Sequence, residues 1–157
     1  IENNVRSKII KEHLTDPAYY EKMSALLDEI IRLRKGKAIE YEEYLKRIAA
    51  LAASVQAGKA HDAPEQLNTP GRLALYSNLK DHVAANKAME ADAAYGGTDA
   101  VLELALRIDA VIKQKRPDGW RGVIAKEQMV KQALYEVLKD IDEVNRLYPI
   151  VFAQKEY

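Results

Sequence analysis

Cysteine is absent from this chain of 157 residues. That rules out a disulfide framework and any zinc site built on thiolates. Neither sign of charge prevails, with Lys plus Arg and Asp plus Glu at 24 each. Overall charge therefore names no polyanionic partner, and only local clustering can meet one. No apolar run approaches the ~18 residues that a membrane span requires, so no membrane role is expected. Glycine (7) and proline (5) are scarce, and the alternation of β-branched residues that marks strands is nearly missing. These absences leave an all-α chain. At this length a folded chain hides roughly 68–70% of its unfolded surface, enough for a core without covalent staples. The first residue is Ile1 rather than Met, and the sequence is read as a fragment of a longer chain.

What is present is apolar residues at helical spacing. Val5, Ile9 and His13 or Leu14 mark a short lead-in helix. Asp16 offers an N-cap with Pro17 at the first helical position. Tyr19, Met23, Leu26, Leu27, Ile30 and Leu33 stripe the helix that follows, until Gly36 closes it. A second long helix is expected from about Tyr41 to Gln56, with Tyr44, Leu45, Ile48, Ala52 and Val55 on one face. The short connection makes the two an antiparallel hairpin. Gly58 to Asn68 reads as a loop joining sub-layers of about 1–57 and 69–157. Thr69 and Pro70 restart a helix through Leu73, Tyr76, Leu79 and Val83. Ala84 to Tyr95 is alanine-rich, with little to bury. Thr98 opens a helix through Val101, Ala105, Ile108 and Ile112, which Pro117 stops. Beyond the turn Asp118-Gly119-Trp120-Arg121-Gly122 a helix carries Val130, Ala133, Leu134, Val137 and Leu138. Asp140 with Glu143 forms a capping box for the last helix, which Pro149 should kink or split. The expectation is an irregular bundle of about six to seven helices, with no internal repeat.

Several chemistries are excluded by motif. A phosphate-binding loop needs glycine five residues ahead of Gly-Lys-Ser/Thr. Gly36-Lys37 and Gly58-Lys59 are each followed by alanine, and Ile31 and Ala53 occupy the place of the first glycine. A di-iron bundle needs Glu-x-x-His, and no histidine has glutamate three residues before it. Pro117-Asp118 has no Glu-x-Lys or Asp-x-Lys partner anywhere, as a magnesium nuclease of the common type would need. No catalytic residue, cofactor or metal is assigned.

Two basic clusters remain as candidates for DNA contact. Arg32, Arg34, Lys35 and Lys37 end the first long helix without an acid among them. Cations there complement the helix dipole, and phosphate contact is the alternative. The second cluster is Lys113, Lys115, Arg116 and Arg121, with Lys126 nearby. Trp120, the only tryptophan, is read first as a packing anchor for the turn. Arg121 has three choices: stacking on a ring, pairing with Asp118, or reaching a partner. Nine tyrosines are more than a dry core selects. Tyr19, Tyr41, Tyr44, Tyr76 and Tyr135 are expected at core edges, and Tyr20, Tyr95 and Tyr157 free for an interface.

In order along the chain, the run from Asn4 to Ile10, the run from Asp16 to Ile31, and Tyr41-Glu-Glu-Tyr-Leu are followed by the run from Thr69 to Leu79, Asp118-Gly-Trp-Arg-Gly and the ending Ala153-Gln-Lys-Glu-Tyr. This order resembles the helical C-terminal domain of the motor (R) subunit of type I restriction-modification enzymes. The stretch from about Asp81 to Gly97 looks like an insertion against that pattern, and Glu40 stands where a Ser or Asp cap is expected. The resemblance implies a bacterial, cytoplasmic assembly and DNA-contact domain. It would dock an ATP-driven DNA translocase and endonuclease onto a methyltransferase core of modification and specificity subunits. ATP and magnesium would belong to upstream motor and nuclease domains of the same chain, and the DNA partner would be double-stranded backbone. Trp120, Arg121, Phe152, Gln154 and Tyr157 are then interface candidates. A helical adaptor that binds protein alone is the competing reading.

Overall fold

The computed structural model describes residues 1–59, 63–86 and 98–157, without the side chains of 80–86, 98 and 99. Among the described residues there are seven α-helices and no strand. They are α1 (Glu2–Glu12), α2 (Pro17–Lys35), α3 (Tyr41–Ala57), α4 (Pro70–Asn86), α5 (Thr98–Lys115), α6 (Ile124–Leu138) and α7 (Ile141–Ala153). The chain divides into two compact units, Ile1–Gln66 and Leu67–Tyr157. Their boundary falls inside the expected loop.

The first unit packs α1, α2 and α3 together. Asp16 caps α2 by accepting from the Tyr19 amide, with Pro17 at the first helical position, as the sequence signals. Tyr19, near the start of α2, donates its hydroxyl to the Ser54 carbonyl near the end of α3 (2.7 Å). Arg34, at the end of α2, meets Tyr44 at the start of α3. The two helices therefore run antiparallel, a hairpin as expected. Val5, Ile9, Tyr19, Tyr20, Met23, Leu27, Ile30, Tyr44, Ile48, Leu51 and Val55 form the core. The buried stripe of α2 keeps Tyr19, Met23, Leu27 and Ile30 of the expected face. Tyr20 is inside, and Leu26 and Leu45 are exposed, since a three-helix packing covers a narrower arc of each helix than the apolar residues span. Tyr41 is exposed rather than at a core edge. The end of α2 is also not as glycine usage implies. Gly36 keeps φ −78°, and Lys37 takes the left-handed turn at φ 53°. The Ala38 amide then donates to the Leu33 carbonyl and closes the helix. Glu40 stands at the N-cap of α3 with no side-chain cap bond.

In the second unit α4 lies against α5 and α7, and α6 lies against α5 and α7, so four helices close around one core. Leu75, Leu79, Val101, Ala105, Ile108, Ile112, Val130, Leu134, Val144, Leu147, Ile150 and Val151 fill it. Asp140 caps α7 through the amides of Asp142 and Glu143. The Glu143 carboxylate turns to Arg146, which also donates to the Asn78 carbonyl of α4 (3.0 Å). Pro149 does not split α7, which runs on to Ala153. Pro149 is on the exposed face, where water can serve the carbonyl its ring leaves unmatched. Helix α4 extends to Asn86; the rest of the alanine-rich segment, with Tyr95, lies outside the described residues.

Candidate nucleic-acid interface and the aromatic turn

The cluster at the end of α2 divides. Arg34 is used inside the fold. Its guanidinium lies over the Tyr44 ring (4.4 Å) and donates to the Tyr44 hydroxyl (3.1 Å) and to Glu2 Oε1 (3.3 Å). Tyr44 donates in turn to Glu2, and that bond, first of all, holds the Glu2 carboxyl below its usual value against the opposing effect of burial, and it raises the Tyr44 phenol. Beside this triad is a cavity of about 320 Å³ lined by Glu2, Arg34, Tyr41, Tyr44 and Leu45. Arg32, Lys35 and Lys37 are exposed, and none of their side chains pairs with any described residue. Three cations beside the α2 carboxyl end exceed what its partial negative charge can use.

The second cluster is largely matched. Lys113 reaches Asp109 (3.0 Å) and Glu156 (3.3 Å), and Lys115 pairs with Glu136. Lys126 donates to the Asp118 carbonyl (2.7 Å) and pins the turn. Arg116 and Arg121 are not matched by any carboxylate among the described residues. Arg121 stacks on Trp120 (4.5 Å) and donates to the carbonyls of Phe152 (2.9 Å) and Gln154. Stacking on a ring is realised, and Asp118 is not its partner. Burial, and then the nearby charge of Arg116, holds the Arg121 guanidinium below its usual pKa.

Trp120 is 1% exposed and is the packing anchor the sequence implied. Its ring meets Tyr148 and Phe152 edge-on, and its Nε1 donates to the Tyr157 backbone oxygen (2.7 Å). Trp120, Gln154 and Tyr157, all interface candidates from sequence, are buried against their own chain and offer no surface as it stands. Tyr20 and Tyr157 were expected to stand free and are corrected by the same observation. Phe152 keeps 40% of its surface exposed. The tail turns inward because its last residues have partners waiting. Glu156 accepts from the Gly71 amide at the start of α4, where backbone N–H groups have no helical acceptor. Tyr157 donates to Asp109, a carboxylate 1% exposed that also accepts from Arg72 Nε (2.9 Å). Burial alone would raise the Asp109 pKa. The bonds from Tyr157, Lys113 and Arg72 outweigh it and hold the carboxyl below its usual value.

Sequence reasoning did not single out Asp109, Arg72, Gly71 or Glu156. One acid on an otherwise apolar stripe, Asp109 beside Ile108 and Ile112, was the available signal. Among the described residues no group of three or more His, Asp or Glu could hold a metal ion, and no helix is long and apolar enough to cross a membrane. Comparison with protein-family models, curated proteins and solved structures finds no match for this chain.

Proposed function

We propose that this chain is a non-catalytic assembly and DNA-contact domain of a type I restriction motor subunit, docking the translocase onto a methyltransferase core. The observation that carries the reading is the trio Arg32, Lys35 and Lys37, exposed and unmatched at one helix end. Exposed cations that no internal acid uses are what a phosphate backbone requires. The helical fold and the ordered resemblance described above supply the family context. ATP and magnesium belong, in this reading, to upstream domains.

A second reading, a protein-only adaptor, is favoured by α6. Ile124 is 76% exposed and Tyr135 40%. Eleven residues apart, they stand about three turns along one face. With Trp120 and Tyr157 inside the fold, this face replaces the tail as the place for a protein contact.

Salt dependence separates the two. The chain is titrated with a labelled duplex over a range of salt, and the full motor subunit, with and without residues 1–157, is mixed with its methyltransferase and sedimented. A steep loss of DNA affinity with salt, together with failed assembly of the truncated subunit, is the expected result. Assembly at unchanged affinity would remove the docking role, and salt-independent or absent DNA binding would leave only the adaptor.

A further inference from the structure

We propose that the cavity formed by the start of α1, the end of α2 and the start of α3 is a site for one unpaired base of single-stranded DNA. The inference deepens the DNA-contact reading and rests on it for the identity of the ligand. It names an open strand with a base held face-on, where that reading needs only a backbone.

The site lies wholly within the first unit. Its cavity measures about 320 Å³, and Glu2, Arg34, Tyr41, Tyr44, Leu45 and Ile48 belong to its lining. That size is at the lower end of the roughly 300–1,000 Å³ typical of small-ligand sites. Tyr41 stacks on Tyr44, with ring centroids 6.1 Å apart and 25° between the ring planes. At 62% Tyr41 is more exposed than any other described tyrosine. Tyr44 is its only ring contact among the described residues, and a ring stacked on one side has a second face to offer. Every base has a π-face whatever the sequence, and in a duplex both faces are covered by neighbouring pairs. Only an unpaired base can therefore lie on Tyr41.

The polar groups of the cavity suit the edge of such a base. The Arg34 guanidinium is fixed over the Tyr44 ring, and its Nη1 donates to Glu2 and Tyr44. Its Nε and Nη2 have no partner among the described residues. Glu2 uses Oε1 for both Arg34 and Tyr44, and its Oε2 is likewise without a partner there. The lining thus offers donors and an acceptor side by side, and every base carries both kinds of group on its edge. The Glu2 charge is already met by Arg34 (3.3 Å), so the pair adds little net charge to repel a strand. Phosphates find cations close by. Lys35 follows Arg34 directly, and Lys37 stands four residues before Tyr41, so the Cα atoms of Lys37 and Tyr41 are at most about 14 Å apart. Both lysines are exposed and meet no acid among the described residues. Glu40 and Glu42 flank Tyr41 in sequence, are exposed and oppose phosphate there, which directs the strand out along the end of α2. An aromatic platform beside unmatched cations is the combination that holds single strands without regard to sequence.

The test uses the 157-residue chain with two labelled probes, a short oligothymidylate and a duplex with the same number of phosphates, read by fluorescence anisotropy. Tyr41→Ala is the primary variant, because an exposed ring can be removed without opening the core. Circular dichroism and urea unfolding check that the variant folds. About a tenfold loss of oligothymidylate affinity is expected, with duplex affinity unchanged. The salt slope should stay as in wild type, since stacking releases no counter-ions, whereas Lys35→Gln combined with Lys37→Gln should flatten it. Tyr41→Phe keeps the ring and should bind as wild type does. If Tyr41→Ala holds the oligothymidylate like wild type, or loses both probes equally, the base site is overturned. If wild type binds the duplex and ignores the open strand, the site is overturned and the DNA reading stands. If it binds only the open strand, and through Tyr41, the site stands and the duplex contact falls. Binding to neither probe overturns both.

Discussion

Tyr157 donates its hydroxyl hydrogen to the carboxylate of Asp109, 48 positions earlier. The bond ties the last residue of the chain to the middle of α5. Around it are Arg72 and Lys113 on the carboxylate, Trp120 on the Tyr157 backbone oxygen, and Glu156 on the start of α4. Two acids, Asp109 and Glu156, meet two bases, Arg72 and Lys113. A buried ionic group is tolerated when its lone pairs are matched in this way.

Tyr157→Phe deletes one bond to a charged acceptor and leaves the ring in place. Hydrogen bonds to charged groups contribute about 1.5–3 kcal/mol, and Asp109 keeps its two cations, so a loss near the lower end of that range is expected. Urea unfolding checks it, with an unchanged m-value showing that the unfolded state is not involved. Removing residues 154–157 should cost more and shift Trp120 emission to the red, because the ring then loses its cover.

The same network sets the acid limb of stability. The folded-state pKa of Asp109 lies below its ordinary 3.8. The unfolded chain therefore takes up this proton first, and the contribution is complete above the unfolded value and lost as pH falls through the folded one. Asp109→Asn should be less stable at neutral pH and flatter in its dependence below pH 4 or so. The alkaline limb has the opposite sign. Burial, first of all, raises Tyr19 and Tyr148 from 10.0 to about 12 and pushes Tyr157 up as well. The folded chain holds protons that the unfolded chain releases, so stability is complete below pH 10 and falls as pH rises from there. Urea midpoints across pH measure both limbs. A Tyr157→Phe variant with an alkaline slope as steep as wild type would argue against its share.

Gly71→Ala probes the seat of the tail from the other side. A Cβ at this position would clash with Glu156 Oε1 and lie 2.9 Å from a Tyr157 ring carbon. Alanine favours the helix itself by up to about 1 kcal/mol, so a purely local effect would stabilise. Displacing Glu156 and Tyr157 should instead destabilise by about 1–3 kcal/mol, as overpacking does. Combined with Tyr157→Phe, the loss should be smaller than the sum, since both act on one contact.

The helices were legible because their ends carry residues with one physical use. Asp16-Pro17, Asp140 and Pro117 each stop or start a helix as the sequence implies. The faces were less legible. By hydropathy Leu26 has the stronger claim to the core than Tyr20, and only the position of the neighbouring helices reverses that order. The tail was least legible of all. Nothing local in Ala153-Gln-Lys-Glu-Tyr says that Tyr157 is buried, because the partners of the tail lie 37 to 85 positions away: Trp120 and Asp109 bonded to Tyr157 at separations of 37 and 48, and Gly71 bonded to Glu156 at 85. Charge clusters show the same limit. Arg34 and Arg32 look alike in sequence, and only the approach of Glu2 and Tyr44 removes Arg34 from the exposed set.

That division gives the last prediction. Arg34 is joined to Glu2 and stacked on Tyr44, whereas Arg32, Lys35 and Lys37 face no acid among the described residues. Neutralising Arg34 with Arg34→Gln should therefore act on folding. It breaks a partly exposed ion pair and a cation–π contact, each of which contributes at most about 1 kcal/mol at such sites, so the cost should be about 1 kcal/mol and should shrink in high salt. The exposed trio should behave in the reverse way. Replacing Arg32, Lys35 and Lys37 with glutamine removes mutual repulsion at one helix end, although it also removes cations that complement the α2 dipole. The two effects oppose, and stability should change by less than about 0.5 kcal/mol, as at most surface sites. If the trio meets a duplex backbone, each lost phosphate contact should reduce the slope of log affinity against log salt by about 0.9. Arg34→Gln should leave that slope unchanged. Duplex titrations at several salt concentrations, beside urea unfolding of the same variants, separate the two roles. A slope that drops for Arg34→Gln and stays for the trio would mean that the fold had been read with the wrong arginine facing outward.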